Sequence, residues 1–443
     1  MLLLAGACIT MLIVLFAYKK QQTASENTEY TLLNRGAAFS DTAEWNFMKE
    51  KVYNYMNTLS LNQTDLKALT GLAGVYVQEG RITGNYAYYD KAAMHYVNKA
   101  LQVDSNYFDA LTISSLLWLN QHHFQQGLDV AKKLVSINPY NAFVYGLLTD
   151  GNVEMGYYDS ALTSAQKMMD IRPDIRSYSR VSYLRELYGD VEGAIESMQM
   201  AIESGVPGDE NTSWCRVQLG NLLTYMGDTA AANIQFNNAL YQRPGYAFAL
   251  AGLAKIFYMQ GNWKAADAYY KKAIAAHPDN SFKEALADVY MQTGKKQEAD
   301  ALLKEVVQNL SSTTISDDVK TSGHGHYADK ELAYAFLLMN DNDKAKEHAI
   351  KEFNRRPLNG DVCEMMAWVS FKNNDMKTAL KNLPIALKTG SKNPILMAHA
   401  GIIYASAKKN EQSTEYLSMA MKQIQLLPYD LQIEVKKLAS VTQ

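Results

Sequence analysis

Cysteine is scarce in this sequence, and the few cysteines are scattered. The 443 residues include only three, Cys8, Cys215 and Cys363. Residues this far apart form neither the closely spaced cluster of a metal site nor a disulfide framework. We therefore expect each cysteine to be a small side chain buried in a helix.

An excess of basic charge is also lacking. Lysine and arginine together number 43, against 46 for aspartate and glutamate, and the formal net charge is -3. Proteins that bind nucleic acid through its phosphates usually carry a basic surface. The composition therefore disfavours a nucleic-acid partner.

Catalytic motifs are missing as well. The chain contains no G-x-S-x-G, P-loop, dinucleotide fingerprint or H-E-x-x-H pattern. The repeats described below occupy nearly everything after Leu59, so a separate catalytic domain has no room. We expect a protein that is not an enzyme, with no cofactor, no metal ion and no small-molecule substrate.

What the sequence does contain is a 34-residue repeat, clearest in two adjacent copies. Ser213 to Tyr246 and Ala247 to Asn280 carry leucine, small, aromatic and proline residues at the same offsets. The matched pairs are Leu219 and Leu253, Gly220 and Ala254, Gly227 and Gly261, Ala232 and Ala266, Phe236 and Tyr270, Ala239 and Ala273, and Pro244 and Pro278. A fixed period of this length predicts stacked units instead of one globular core.

Each copy predicts two amphipathic helices joined by a tight turn, because apolar residues recur at helical spacing on either side of a glycine. Gly227 and Gly261 would follow the first helix with a positive φ. Gly220 and Ala232 would face each other and let the helices approach closely, so a bulky replacement should cost about 1 to 3 kcal/mol. The closing prolines would end the second helix.

The same period organises most of the chain. A capping helix is expected at Asp41 to Leu59, and a final helix at Tyr429 to Val441. A first pair at Leu66 to Glu79 and Tyr86 to Leu101 would have a lengthened connection, Gly80 to Asn85. Regular units then begin at about Phe108, Ala142, Ile175, Ser213, Ala247, Ser281, His326, Gly360 and Pro394, with a short insert at Asp209 to Thr212.

These patterns divide the chain into five parts. Residues 1–20 would be a membrane anchor or signal sequence, 21–40 a polar tether, 41–64 an N-terminal capping helix, 65–427 an array of about ten helix pairs with a loop insertion at 309–325, and 428–443 a C-terminal capping helix.

The small, aromatic and proline residues at these offsets resemble the tetratricopeptide repeat. A wider resemblance to multi-repeat bacterial tetratricopeptide proteins is carried by SYSRVSYLRELYGDVEGAIESM at Ser177 to Met198 and by PGDENTSWCRVQLGN at Pro207 to Asn221. It extends loosely from about Gly71 to Ala420. The resemblance implies an all-α, right-handed superhelical solenoid of antiparallel helix pairs, often with an export signal, and no catalytic residues.

In that family the first helix of each pair lines a concave groove. The matching positions here are Asp109, Asn120, Asp150, Tyr183, Glu186, Trp214, Asn221, Tyr225, Phe248, Lys255 and Tyr258. Aromatic rings with polar tips and asparagine amides suit an extended peptide. We expect these residues to bind a protein or peptide partner, with Trp214 to Tyr258 as the main contact surface. The basic cluster that some family members use for a C-terminal carboxylate is not evident.

The N-terminus predicts a membrane location. Leu2 to Tyr18 form an apolar run, followed by Lys19 and Lys20, that is long enough for a membrane helix or a signal sequence. We favour an uncleaved anchor, because no A-x-A site follows the run. The two lysines would keep the array cytoplasmic, whereas the resemblance implies export, and we expect the array on the periplasmic or cell-envelope side.

Two other functions are compatible with the sequence. The array could be an architectural subunit that assembles through its ends or convex face. It could also be a metal-dependent enzyme that uses His324 and His326, followed by Asp329, although this is not a specific zinc pattern. A flexible loop leading into a helix is the expected structure there. At His122 and His123 we expect only an inter-helix turn.

Overall fold

The computed structural model describes residues 30–36, 39–40, 42–313 and 325–440. Within these ranges the chain forms 22 α-helices and one 3₁₀ turn, Ile424–Leu426. The helices are α1 Ala43–Leu61, α2 Leu66–Thr83, α3 Tyr86–Val103, α4 Phe108–Asn120, α5 Phe124–Ile137, α6 Ala142–Glu154, α7 Tyr158–Ile171, α8 Ile175–Leu187, α9 Val191–Glu203, α10 Glu210–Tyr225, α11 Thr229–Gln242, α12 Ala247–Met259, α13 Trp263–Ala276, α14 Asn280–Gln292, α15 Lys296–Thr313, α16 Asp329–Leu338, α17 Asn342–Arg355, α18 Gly360–Lys372, α19 Met376–Ala386, α20 Pro394–Ser406, α21 Asn410–Lys422 and α22 Tyr429–Ala439.

The predicted N-terminal anchor, Leu2 to Tyr18, and Cys8 lie outside the described residues. In the described ranges no helix is long and apolar enough to cross a membrane. Cys215 in α10 and Cys363 in α18 are buried free thiols, as the sequence predicts.

Twenty of the described helices form ten pairs, from α2 with α3 to α20 with α21, each consisting of a first and a second helix joined by a short turn. The capping helix α1 packs on α2, while α22 packs on α20 and α21. Each apolar face is thus buried against its partner helix and the next pair. The predicted all-α solenoid of helix pairs is confirmed.

The turns between paired helices use a left-handed residue, as the repeat predicts. Gly227 and Gly261 have φ values of 83° and 71°. At corresponding turns other units place His122, Asn340 or Lys408 in this conformation, with φ values of 63°, 58° and 57°. Glycine adopts a positive φ at the least steric cost, whereas a side chain there is strained. The conformation of the turn is therefore kept even where glycine is absent.

Gly220 allows close packing, but its neighbour is not the predicted one. A β-carbon on Gly220 would lie 2.5 Å from the Phe236 ring, and one on Gly252 would lie 2.3 Å from it. The fully buried Phe236 of α11 therefore fills the space between two successive first helices. Ala232 is buried but does not supply the closest contacts of Gly220, because the longer aromatic side chain reaches that face first.

Three helix boundaries differ from the sequence prediction. Helix α2 continues through Gly80 to Thr83, because the residue with positive φ that ends it is Gly84, at 73°. The predicted insert at Asp209 to Thr212 is the start of α10, with Asp209 as its N-cap. The loop predicted at 309–325 begins later, because α15 continues to Thr313; residues 314–324 lie outside the described ranges.

The solenoid winds far enough for its successive turns to touch. The third pair meets the ninth, where the Gly360 N–H donates to the Tyr158 hydroxyl at 2.6 Å across 202 positions. The fifth pair meets the tenth, where the Gln423 side-chain amide donates to the Tyr225 carbonyl oxygen at 2.9 Å across 198 positions. These contacts enclose the concave face, so the groove becomes the lumen of a superhelix.

Candidate functional site

The lumen is a single large cavity with a volume of about 2010 Å³. Its wall is built mainly from the first helices α2, α4, α6, α8 and α10, together with residues of the next turn such as Gly325, Arg356 and Pro394. Pockets for small molecules have volumes of about 300 to 1,000 Å³. The lumen is therefore large enough for an extended segment of another protein.

Most of the predicted groove residues line this lumen. They are Asn120, Asp150, Tyr183, Glu186, Trp214, Asn221, Tyr225 and Lys255. Their first helices share one orientation in the stack, so equivalent positions meet on the inner surface. The structure thus places these side chains together, as the repeat pattern predicts.

Three predicted groove residues lie elsewhere, which corrects the sequence analysis. Asp109 is exposed at the start of α4, away from the lumen. Phe248 packs against the His277 and Phe282 rings, with centroids 5.1 and 5.6 Å apart. Tyr258 is buried, and its hydroxyl accepts a hydrogen bond from the Gln292 side chain at 2.9 Å. Contacts between neighbouring helix pairs occupy the last two side chains.

Tyr225 lines the lumen but also holds two turns of the superhelix together. Its hydroxyl donates to the Lys392 carbonyl oxygen at 2.5 Å, in addition to the bond that its own carbonyl accepts from Gln423. A substitution of Tyr225 would therefore disturb the shape of the lumen as well as its surface.

Some charges in the lumen are already neutralised by partners. Arg180 binds Asp150 through two hydrogen bonds, from Nε to Oδ1 at 2.8 Å and from Nη2 to Oδ2 at 2.6 Å. Arg356, which is buried, pairs with Glu154 across the two turns. Such bidentate and buried pairs fix side-chain geometry. Asp150 is thus less available to a ligand than the sequence suggests.

Lys255 and Glu186 are charged groups of the lumen that make no ion pair within the described part of the chain. Burial within the lumen wall lowers the pKa of Lys255, and Glu186 acts in the opposite direction. The pKa of Glu186 is raised, chiefly by burial and next by the charge of Asp361, while Lys255 opposes the shift. Both groups are incompletely compensated, so a bound partner could complement them.

Polar and aromatic side chains complete this part of the wall. Tyr183 is 45% exposed although it lies inside the superhelix, because the lumen is wide. Trp214 follows on α10, and Asn221, two helical turns further along, is exposed to the same space. Aromatic rings and an asparagine amide on adjacent first helices can bind both the side chains and the backbone of an extended peptide.

Of the residues in the alternative metal-site hypothesis, the two that the structure describes, His326 and Asp329, have different partners. His324 lies outside the described residues, and Asp329 is bound to His348 at 2.6 Å and to Arg355. His326 instead lies against His122, with ring centroids 4.0 Å apart. Asp329 therefore belongs to a separate ion-pair network inside the eighth helix pair.

The turn at His122 and His123 does more than the sequence predicts. The His122 Nδ1 atom is 2.9 Å from the Tyr327 carbonyl oxygen, and the His123 Nε2 atom is 2.9 Å from that of Gly325. These bonds join the second helix pair to the segment that precedes the eighth. The sequence carries no signal for this contact, because the residues are more than 200 positions apart.

The helix pairs correspond to a known repeat family. A tetratricopeptide repeat model matches residues 217–281 and 253–312. Residues 217–312 carry tetratricopeptide repeats. This repeat generally serves as a scaffold for protein–protein interaction, and tetratricopeptide repeat proteins are typically not enzymes.

Several solved tetratricopeptide structures are similar to the chain. A tetratricopeptide repeat protein from Parabacteroides merdae is 16% identical over 60% of this chain and 98% of its own, with a TM-score of 0.35. PilW, a type IV pilus biogenesis factor, is 14% identical over 48% of this chain and 96% of its own, with a TM-score of 0.39. At these identities the likeness concerns the fold alone. No curated protein matches the chain.

Proposed function

We propose that this tetratricopeptide protein is a non-catalytic scaffold that binds an extended segment of a partner protein inside its lumen. The observation that carries the proposal is the cavity of about 2010 Å³ inside the superhelix, whose wall presents aromatic and hydrogen-bonding side chains from successive first helices. Its size exceeds that of a small-molecule pocket. A peptide threaded along the axis would contact several helix pairs at once.

The chemistry of the wall indicates what such a segment should offer. Tyr183 and Trp214 provide apolar area for large side chains, and Asn221 can pair with a backbone amide. Lys255 and Glu186 lie within each other's electrostatic field without a direct ion pair. A segment carrying both an acidic and a basic residue would complement these two groups.

The first experiment is site-specific photocrosslinking in native cells. In the first variant a photoreactive phenylalanine analogue replaces Tyr183, which lines the lumen. In the second variant the analogue replaces Tyr241, which lies on α11 and is 88% exposed. We expect the first position to crosslink to one defined segment of a partner. Crosslinks obtained only from the second position would place the partner on the outer surface and contradict the proposal.

The crosslinked segment is then synthesised and titrated against purified variants. Asn221→Ala and Lys255→Met remove side chains that make no hydrogen bond or ion pair to another turn within the described residues, so each should weaken binding about fivefold, as for one lost hydrogen bond of about 1 kcal/mol. Tyr241→Ala is the matched surface control and should bind like the wild type. Equal affinity of all four proteins would refute binding in the lumen.

An assembly function is the second candidate, and it is favoured by one observation. The capping helix α1 exposes Phe47, Tyr53 and Leu61, with exposed fractions of 52%, 72% and 86%. The other terminal helix, α22, is bonded at its start to another part of the array, because the Tyr429 N–H donates to Asp288 at 2.9 Å. Assembly through α1 predicts a concentration-dependent oligomer that a Tyr53→Ser, Leu61→Ser variant would lose in analytical ultracentrifugation.

We further propose that the array works at a membrane, tethered by the apolar run at residues 2–18 and exposed on the periplasmic or cell-envelope side. The apolar length and the resemblance to exported proteins support this location. Protease treatment of intact and opened cells tests it. We expect digestion of the array once the outer barrier is opened and the cytoplasmic membrane is still intact. Digestion only after the cytoplasmic membrane is lysed, or fractionation with cytoplasmic markers, would contradict export.

A further inference from the structure

A cluster of three metal-ligating side chains lies at the contact between two turns of the superhelix. His122 comes from the turn of the second helix pair, and His326 and Glu331 come from the start of the eighth. One potential ligand atom of each residue lies within 4.8 Å of those of the other two. All three residues line the lumen, so the cluster is open to solvent on that side.

The hydrogen bond of His122 leaves its second ring nitrogen available as a ligand. The Nδ1 atom of His122 faces the Tyr327 carbonyl oxygen at 2.9 Å, and because a carbonyl only accepts, this nitrogen carries the hydrogen. The Nε2 atom of His122 therefore remains an acceptor. Metal-binding histidines are typically oriented by a carbonyl in this way.

Glu331 supplies an oxygen that has no donor within the described part of the chain. Its Oε2 atom is buried and accepts no hydrogen bond there. A buried carboxylate oxygen without a partner is costly. A cation coordinated by this oxygen and by two imidazole nitrogens would remove that cost.

Nearby positive charges have partners of their own. Arg356 and Lys330 both lie close enough to lower the pKa of His122. Arg356 is paired with Glu352 and Glu154, and Lys330 lies 4.0 Å from Asp361. The surrounding carboxylates therefore offset the repulsion that these two cations would exert on a metal ion.

We propose that His122, His326 and Glu331 bind one divalent transition-metal ion, of which zinc fits best, and that this ion clips the second helix pair to the eighth. Two imidazoles and a carboxylate form a three-ligand zinc set whose fourth position stays open. Bonds of about 2.0 to 2.1 Å in a tetrahedron hold ligand atoms about 3.4 Å apart, so ligand atoms that now lie up to 4.8 Å apart need to approach by up to about 1.4 Å. Imidazole ligands select zinc, copper or nickel over magnesium.

The clip has a structural consequence. Among the described residues the second and eighth pairs are joined here by hydrogen bonds from the two histidines of one turn, His122 and His123. A metal ion would add bonds across the same junction and stabilise the closed form of the lumen. It acts as a brace of the scaffold and requires no catalytic role.

The test is zinc titration of the full-length protein, purified in detergent without a polyhistidine tag and depleted of metal with a chelator. We expect one zinc ion per chain by calorimetry, a higher Tm with zinc, and no change with magnesium. Glu331→Gln keeps the side-chain volume, and His326→Asn removes one imidazole. Each variant should bind zinc at least tenfold more weakly.

A matched substitution separates the site from general surface binding. Glu298→Gln changes an exposed glutamate on α15 in the same way and should bind zinc like the wild type. Circular dichroism confirms that every variant is folded, and cobalt substitution should give the intense visible absorption of a tetrahedral site. Absence of stoichiometric zinc from the wild type, or unchanged affinity in both site variants, would overturn the proposal.

Discussion

Gly156 and Leu358 approach so closely that a β-carbon on Gly156 would lie 2.2 Å from the Leu358 carbonyl oxygen. Gly156 ends the first helix of the third pair, and Leu358 precedes the first helix of the ninth. The repeat requires this glycine for its positive φ of 76°. The superhelix also requires a glycine at this position, because the backbone of the next turn leaves no space for a side chain.

We expect Gly156→Ala to destabilise the chain more than the same change at another turn glycine. Gly227 has a similar φ of 83° but nothing within 4 Å of the added β-carbon. Gly227→Ala should therefore cost only the backbone strain, about 1 to 2 kcal/mol. Gly156→Ala adds a backbone clash, and small-angle scattering should show a larger radius of gyration. Equal denaturation midpoints would contradict the contact between turns.

A helical glycine gives a second comparison within the repeat. Gly252→Ala would press on the buried Phe236 ring, at 2.3 Å, and should lower stability by about 1 to 3 kcal/mol. Gly74→Ala, in a helix with nothing within 4 Å of the β-carbon, should instead raise stability by up to about 1 kcal/mol. A Phe236→Leu change combined with Gly252→Ala should recover part of the loss. Urea denaturation measures all four proteins.

The buried Arg356 predicts a strong effect of charge removal. Its guanidinium lies over the Phe124 ring, 4.5 Å from the centroid, and donates from Nε to Glu352 at 2.6 Å. Arg356→Met keeps much of the volume but leaves the buried Glu352 with Arg355 as its one arginine partner among the described residues and the partly exposed Glu154 without Arg356, so we expect a loss of about 3 kcal/mol. Arg172→Met breaks only the exposed pair with Asp174 and should cost at most about 1 kcal/mol. Similar losses for both variants, measured by thermal denaturation, would show that the junction contributes little.

Asp90 predicts how stability depends on pH. Burial raises its pKa to about 7, and a hydrogen bond from Gln121 opposes the shift. An aspartate in the unfolded chain has a pKa of about 3.9. Between these values the native chain holds a proton that the unfolded chain releases, so the contribution of Asp90 to stability is lost as the pH rises from about 4 to about 7.

The variant Asp90→Asn cannot titrate and isolates this effect. At pH 4 its free energy of unfolding should equal that of the wild type. At pH 8 the variant should be about 1 to 3 kcal/mol more stable than the wild type. Asp109→Asn changes an exposed aspartate and should leave the pH dependence as it is. Denaturation midpoints across this pH range measure the difference. A constant offset between the Asp90→Asn variant and the wild type would contradict a raised pKa.

The repeat predicts the conformation of the turns, but it does not predict which side chains meet between helices. Gly227 and Gly261 have the expected positive φ, because a turn between two helices is set by a few adjacent residues. The partner of Gly220 was harder to predict, since spacing gives the face of a helix but not which side chain reaches across it. Phe236 reaches that face because its ring is longer than the methyl group of Ala232.

In the candidate site, too, the repeat pattern predicts some features and not others. The pattern of first helices predicts the lumen positions of Tyr183, Trp214 and Asn221, because their direction follows from the stacking of like units. It could not show that Tyr225 holds Lys392, or that His326 faces His122 and Glu331. Those contacts depend on the pitch of the superhelix, to which every pair contributes a small rotation.

The sequence by itself determined the repeating unit, the two helices of each pair and the side that each pair turns inward, because these follow from contacts between near neighbours. Only the tertiary structure decided that the third pair meets the ninth, that the groove closes into a lumen and that three potential metal ligands from two turns lie side by side. The physical reason is that the rotations between adjacent helix pairs accumulate along the array. Small rotations between adjacent pairs add along the array, and residues about 200 positions apart become neighbours only through their sum.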